Sequence, residues 1–387
     1  MSGAEAFRAE TRAWLADNTL PGVRHQPEDP ETAVWGGRRP YFANDDQRVW
    51  LERMVAKGWT VPEWPVEYGG AGLSAEEAKI LTQEMRRIGA RRPLYSLGIW
   101  MLGPALLKYG SEAQKREHLP RIARAEIRWA QGYSEPGAGS DLANIQTRGE
   151  DKGDHFLVNG SKIWTSSGDK ADMIFALVRT EPDAPKHLGI SFLLIDMADP
   201  GVTTRPIKLI AGDSPFTQTF FDDVAVSKDN VVGERGRGWD VTKYLLAHER
   251  EMIGSLPMSS MGEETLAARA VKALGREGLA RSGTLRADIL QYELDAWTMG
   301  IALERNGDLA KARQAAPTAA SVLKLFGTEL NKRRSELLMS VEGVAGADAR
   351  GIAARDWLYA PTTTIAGGSS EIQLNILAKR ALGLPGA

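Results

Sequence analysis

Gly132-Tyr133-Ser134-Glu135-Pro136-Gly137-Ala138-Gly139-Ser140-Asp141 places small residues, hydroxyls and one proline in ten consecutive positions. Glycine and serine let a backbone approach a flat ring or a phosphate, and their amides and hydroxyls donate to anionic oxygens. By itself the stretch reads equally well as a surface turn. A second cluster, Lys162-Ile163-Trp164-Thr165-Ser166, begins twenty-one residues after Asp141. A tryptophan between such neighbours reads as a core residue or as an aromatic wall against a planar ligand, with a hydroxyl beside it. A third cluster, Gly367-Gly368-Ser369-Ser370-Glu371-Ile372-Gln373, lies near the C-terminus.

The sequence around these clusters falls into three segments of different character. Residues 1–126 read as helical. Val49, Trp50, Met54 and Val55 make one apolar stripe over Asp45–Lys57. Ser74-Ala75-Glu76-Glu77 is a capping-box start for a helix reaching about Ile88. Pro21–Arg39 and Gly58–Pro65 are punctuated by proline and glycine and read as loops. From 127 to 235 the pattern turns to β. Phe156-Leu157-Val158, Asn159-Gly160 and Ser161–Ser166 read as a hairpin on a tight turn. Met173–Arg179, Gly189–Met197 and Thr217–Val226 read as strands. From 236 to 387 the helical period returns, over Asp240–Gly254, Met261–Arg281, Thr284–Arg305, Pro317–Val341 and Ser370–Leu382. Helices, then strands, then helices argue for three segments of different class, an α+β chain.

Composition narrows the function classes. At 387 residues the chain has ample material for such a core. A net charge of −2, from 48 Lys and Arg against 50 Asp and Glu, gives no global field for nucleic acid or anionic lipid. The absence of cysteine excludes disulfides, thiolate metal sites and cysteine nucleophiles. The five histidines show no paired metal-ligand spacing. No apolar run has the length of a membrane span and Met1–Glu10 has no apolar leader segment, so the expected location is the cytoplasm.

The three clusters, in this order and spacing, resemble the acyl-CoA dehydrogenase family. Gly58-Trp59, Trp64-Pro65 with Glu67-Tyr68-Gly69-Gly70, and Gly110-Ser111-Glu112 with Gln114-Lys115 extend the resemblance over nearly the whole chain. It implies an α+β fold with an N-terminal helical domain, a middle β-barrel or sandwich and a C-terminal four-helix bundle, and a non-covalent FAD flavoprotein that dehydrogenates an acyl-CoA thioester across its α,β bond. It implies Tyr133 and Ser134 at the isoalloxazine, Gly139 in the same cofactor loop, and Ser140 at the pyrophosphate or nearby coenzyme A. Trp164, Thr165 and Ser166 would line the dimethylbenzene and N5 side, with Ser166 standing where threonine is commoner. Gly368, Ser369 and Glu371 would line the cofactor from the C-terminal segment. The resemblance also implies an electron-transferring flavoprotein as acceptor and a homodimer or homotetramer.

The sequence departs from the family in two places. Many members carry the catalytic glutamate immediately before the glycine of the third cluster, where this chain has Gly367. Gly367 can offer only its backbone N–H to the thioester oxygen. The helix around Leu245–Glu251 resembles the one that supplies the base in isovaleryl-CoA and long-chain acyl-CoA dehydrogenases. That assigns the base to Glu249, with Arg250 orienting it or binding CoA. The other departure is the family's Arg-x-x-Phe-Gly segment, which reaches a neighbouring subunit's cofactor. Arg281 is the equivalent candidate, but no phenylalanine follows at the family's spacing. The alternatives are a non-catalytic structural subunit of a heterotetramer, and an oxidase that reduces oxygen.

Overall fold

The computed structural model describes residues 3–25, 32–246, 264–312, 314, 316, 318–348 and 351–385. The chain divides into two compact units, one of residues 1–207 and 215–245, the other of 208–214 and 246–387.

The first unit opens with α1 (Gly3–Asn18), α2 (Asp45–Ala56) and α3 (Ala75–Arg87). Asn44 caps α2 by accepting from the Gln47 N–H. Ser74 and Glu77 close the expected capping box on α3. Leu15, Trp50, Met54 and Leu81 bury their side chains where the three helices meet, each worth roughly 1.5–3 kcal/mol of burial. The joint between α1 and α3 is ionic. Arg8, Arg12 and Arg87 reach the buried Glu84 carboxylate at 2.8, 2.8 and 2.7 Å. A π-helical turn (Gly98–Leu102) leads into α4 (Gly103–Tyr109), and α5 (Glu112–Ala123) follows behind a Ser111–Gln114 capping box.

Among the described residues, seven strands then build one sheet: β1 (Trp129–Gly132), β2 (Arg148–Asp151), β3 (His155–Ser166), β4 (Met173–Arg179), β5 (Ile190–Asp196), β6 (Val202–Ile207) and β7 (Phe216–Ser227). Their order is β1-β4-β2-β3-β7-β6, with β5 also paired to β4. β1 runs parallel to β4, whereas β3–β7, β4–β5 and β6–β7 are antiparallel. The sheet curls so that Phe156, Ile174, Leu193, Phe221 and Val224, from four different strands, share one core. A sixth helix, α6, begins at 238 and is described to 246.

The expected hairpin at Asn159-Gly160 is not formed. β3 runs unbroken through both residues along β7, with a register shift between Val158 and Gly160. Asn159 spends its amide across the ladder, donating to Asp223 Oδ1 and accepting from the Asp223 N–H. Gly160 has φ +144, and a Cβ there would lie 2.6 Å from Thr147 Oγ1. The glycine answers a close backbone approach at a β-bulge, where the sequence reading placed a turn. β1, β2 and β6 are too short or too polar for periodicity to reveal, and they were not expected.

The second unit contains α7 (Leu266–Arg281), α8 (Thr284–Lys311), α9 (Ala319–Glu342), α10 (Ile352–Ile365) and α11 (Ser370–Arg380). α7 is broken by Gly275 at φ 72, ψ 161. Leu266 and Ala270 of α7, Ile289 and Met299 of α8, Leu338 of α9 and Ala353 of α10 meet in its bundle core. No helix of the described residues is long and apolar enough to cross a membrane.

Candidate functional site

The first two clusters are fastened together inside the first unit. Beyond β1 the chain makes a tight reverse turn, with the Glu135 N–H donating to Ala138 O and the Ala138 N–H to Glu135 O. Pro136 and Gly137 form its exposed tip. The Glu135 carboxylate faces inward and accepts from the Gln146 N–H at 2.5 Å and the Thr147 N–H at 2.9 Å. Its charge is met by Lys162 Nζ at 2.7 Å, with Lys162 fully buried and Glu135 6% exposed. Lys162 also donates to Tyr133 O. Burial pushes the Lys162 ammonium down to about 8 despite its carboxylate partner. Burial pushes Glu135 upward, but the Lys162 charge and the hydrogen bonds outweigh it and hold the carboxyl below its ordinary range. One strand residue later, the Ile163 N–H donates to Ser134 O at 2.8 Å.

Trp164 stands next to this fastening with φ +62, a left-handed conformation that a bulky side chain adopts only under constraint. Its ring is 52% exposed, while the other tryptophans of the unit are buried or half-buried. Phe216 meets it edge-to-face, centroids 6.1 Å apart. Ser134 and Ser166 are half-buried, and Gly139 and Ser140 are exposed. Nothing lies within 4 Å of where a Gly139 Cβ would stand. Two candidates turn the other way. The Thr165 side chain is fully buried and its hydroxyl accepts from Thr219. The Tyr133 ring is 6% exposed and packs edge-on against Phe175 and Phe192. A ligand on the exposed side would meet the backbone of these two residues, not their side chains.

The third cluster, in the second unit, links α10 to α11. Gly367 and Gly368 both take left-handed backbone, φ 66 and 96. Ser369 caps α11, accepting from the Ile372 N–H, and Ser370 donates to Glu329 Oε1 on α9 at 2.7 Å. Glu371 is exposed in the first turn, where hydrogen bonding at the helix N-terminus lowers its carboxyl. Gln373 is fully buried and donates through Nε2 to the carbonyls of Gly367 and Gly368. Arg281, at the end of α7, is exposed and paired with Glu277 of its own helix, with no hydrogen bond to the third cluster. Glu249 and Arg250 lie outside the described residues. No group of three or more His, Asp or Glu among the described residues could hold a metal ion.

Family models for the N-terminal, middle and C-terminal domains of acyl-CoA dehydrogenases match residues 3–126, 130–224 and 236–382. Acyl-CoA dehydrogenase IpdE1 of Mycobacterium tuberculosis is 38% identical over 394 residues, spanning 100% of this chain and 99% of the relative. This chain belongs to the acyl-CoA dehydrogenase family. The same enzyme from Mycolicibacterium smegmatis is 36% identical, again over 100% of this chain and 99% of the relative. Among solved structures, the Tcur3481-Tcur3483 steroid ACAD has a TM-score of 0.79 at 29% identity, covering 100% of this chain and 99% of that one. The ChsE4-ChsE5 complex of Mycobacterium tuberculosis has a TM-score of 0.76 at 32% identity, covering 100% and 99%.

The chain is therefore an oxidoreductase of an acyl-CoA dehydrogenase type, in a family of flavoproteins. Its residues suit a flavin. An exposed indole held in a strained backbone offers a flat apolar face, and a glycine-serine loop open to solvent lies on the same fastened turn. Sequence reasoning noted Glu135, Lys162 and Gln373 but assigned them no role. Glu135 and Lys162 are a carboxylate and an ammonium in two glycine- or hydroxyl-bearing clusters, and that pairing of charges was the available signal.

Proposed function

We propose that this protein is an FAD-dependent acyl-CoA dehydrogenase that converts a saturated acyl-CoA thioester to its trans-2-enoyl-CoA. The observation that carries this reading is the exposed Trp164 ring, beside a Ser134–Ser140 loop locked to the same strand by Glu135 and Lys162. Trp164 would stack against the isoalloxazine, Ser134 and Ser166 would hydrogen-bond its edge, and Gly139 and Ser140 would hold the pyrophosphate. In the second unit, Gly368, Ser369 and Glu371 would be cofactor contacts, and Arg281 would reach the cofactor of a neighbouring subunit. Bound FAD supplies the hydride acceptor for the β-hydrogen at N5. Glu249 takes the α-proton, since Gly367 has no side chain to do so, and Arg250 orients that carboxylate or binds CoA. The Gly367 N–H holds the thioester oxygen, where charge develops as the proton leaves. The enzyme works in the cytoplasm with an electron-transferring flavoprotein as acceptor.

The test is anaerobic mixing of holoenzyme with butyryl-, octanoyl-, isovaleryl- and steroid-carboxyl-CoA thioesters, read as flavin bleaching. Wild-type protein bleaches with at least one of them and Glu249→Gln slows that bleaching at least a thousandfold. Wild-type-like bleaching in Glu249→Gln removes Glu249 from the role.

A second reading has this chain as one partner of a heterotetramer. Similar solved structures include the two-chain Tcur3481-Tcur3483 and ChsE4-ChsE5 assemblies, and position 367 here carries no base. Expression of the chain alone decides between them, because a yellow homo-oligomer with activity excludes a need for a sister chain.

A further inference from the structure

We propose that Gln373 is a positioning residue for the acyl thioester, acting through the Gly367-Gly368 loop; this rests on the function proposed above. The Gln373 side chain is fully buried, and its Nε2 donates to Gly367 O at 3.2 Å and Gly368 O at 3.1 Å. Two acceptors on one nitrogen fix which end of the amide is which. One side-chain nitrogen thus engages both carbonyls of the loop. In a trans peptide the N–H lies opposite the carbonyl, so the two held carbonyls fix the N–H groups of Gly368 and Ser369, and the first held peptide starts from the Gly367 Cα whose own N–H is assigned to the thioester oxygen. With Gly367 and Gly368 at φ 66 and 96, the clamp holds consecutive peptides in a conformation that an unclamped loop would leave.

The surroundings make the clamp rigid. Lys324, fully buried on α9, donates to Thr364 O at 3.1 Å, just before the loop. Ser370 binds Glu329 just after it. A Cβ on Gly368 would stand 2.7 Å from Gln373 Nε2, so the side chain lies directly against the backbone it holds. Gln373 Oε1 is buried with no partner among the described residues. A buried amide kept with one end unsatisfied is costly, so its position is explained by what the nitrogen end does. A misplacement of about 1 Å in such a support is enough to cost on the order of a hundredfold in rate.

The experiment uses holoenzyme with 3-thiaoctanoyl-CoA and the best-oxidised thioester of the panel. The thia analogue has sulfur at the β position and no β-hydrogen to give as hydride, so loss of its α-proton is read alone, as long-wavelength charge-transfer absorption against oxidised flavin. If wild-type protein neither oxidises a thioester nor deprotonates the analogue, the proposed function itself fails and Gln373 is not in question. Given an active wild type, Gln373→Met, similar in length but without donors, is expected to keep its flavin. Its kcat is expected to fall tenfold to a hundredfold with KM changed less than about threefold, and the apparent pKa of analogue deprotonation to rise by at least one unit. Gln373→Glu serves as a second variant should Gln373→Met fail to fold. Its rate relative to wild type is expected to improve as pH falls, because only the protonated carboxyl can donate to a glycine carbonyl. An unchanged kcat and analogue pKa, or an activity loss that tracks flavin loss with no pH-dependent recovery in Gln373→Glu, overturns the proposal.

Discussion

Lys162 Nζ lies 2.7 Å from Glu135 Oε1 with both side chains shut away from solvent. Each residue sits in a different motif, so this one contact sets where the Ser134 loop stands relative to the strand bearing Trp164. Removing one member of such a pair leaves an uncompensated buried charge, at a cost of about 3–5 kcal/mol, whereas replacing both together is far milder. Lys162→Met should lower unfolding stability by about that amount, and the Glu135→Gln/Lys162→Met double variant should recover most of it. Urea unfolding of the two singles and the double checks this. Additive losses would show that the two side chains are not coupled.

Glu84 makes the joint between α1 and α3 sensitive to acid. Arg12, above all, with Arg87 and Arg8, holds its carboxyl at about 2 against an ordinary 4.5. A carboxyl lowered in the folded state stabilises fully above the unfolded value and loses that contribution as pH falls through the folded one. The stability gap between wild type and Glu84→Gln should therefore be constant above pH 4.5 and close progressively towards pH 2. Thermal melts across pH 7 to 2 measure it, and a gap that widens in acid would contradict the assignment.

Trp164 is exposed, so its truncation costs the fold little. Trp164→Ala should change stability by less than about 1 kcal/mol while weakening FAD binding by about tenfold, which corresponds to about 1.4 kcal/mol. Fluorescence titration of the apoprotein with FAD reads the second quantity. Unchanged affinity would detach the indole from the cofactor.

Gly160 tests the close approach beside the β3–β7 register shift, where the extra residue lies in β7. Gly160→Ala adds a methyl 2.6 Å from Thr147 Oγ1 and 2.7 Å from Thr147 Cα at φ +144. The added atom cannot be relieved by a rotamer alone because one of its neighbours is backbone. A loss of about 1–3 kcal/mol follows, read as a lower denaturation midpoint. A midpoint equal to wild type would return Asn159-Gly160 to an unconstrained turn.

These residues also show what the sequence could and could not tell. Helices with a cap and a long stripe were legible: Ser74 begins α3 where the capping box predicts, and Asp45 begins α2. Asn159-Gly160 misled because the dipeptide specifies a backbone conformation without saying whether a turn or a bulge uses it. α10 has no side-chain N-cap and carries Pro361 inside it, and it was not expected. The clusters around Ser134, Trp164 and Gly368 were visible as motifs, but the inward turn of Tyr133 and Thr165 was not. Which face a residue takes near a bulge depends on register, and register is a property of the partner strand.

The left-handed backbone at Gly367 bears on how the family could have diverged. A glutamate inserted there by mutation would enter a conformation costing an L-residue about 1–2 kcal/mol, and its carbonyl would still be tied to Gln373. Placing a carboxylate at this position therefore takes backbone strain as well as a codon change.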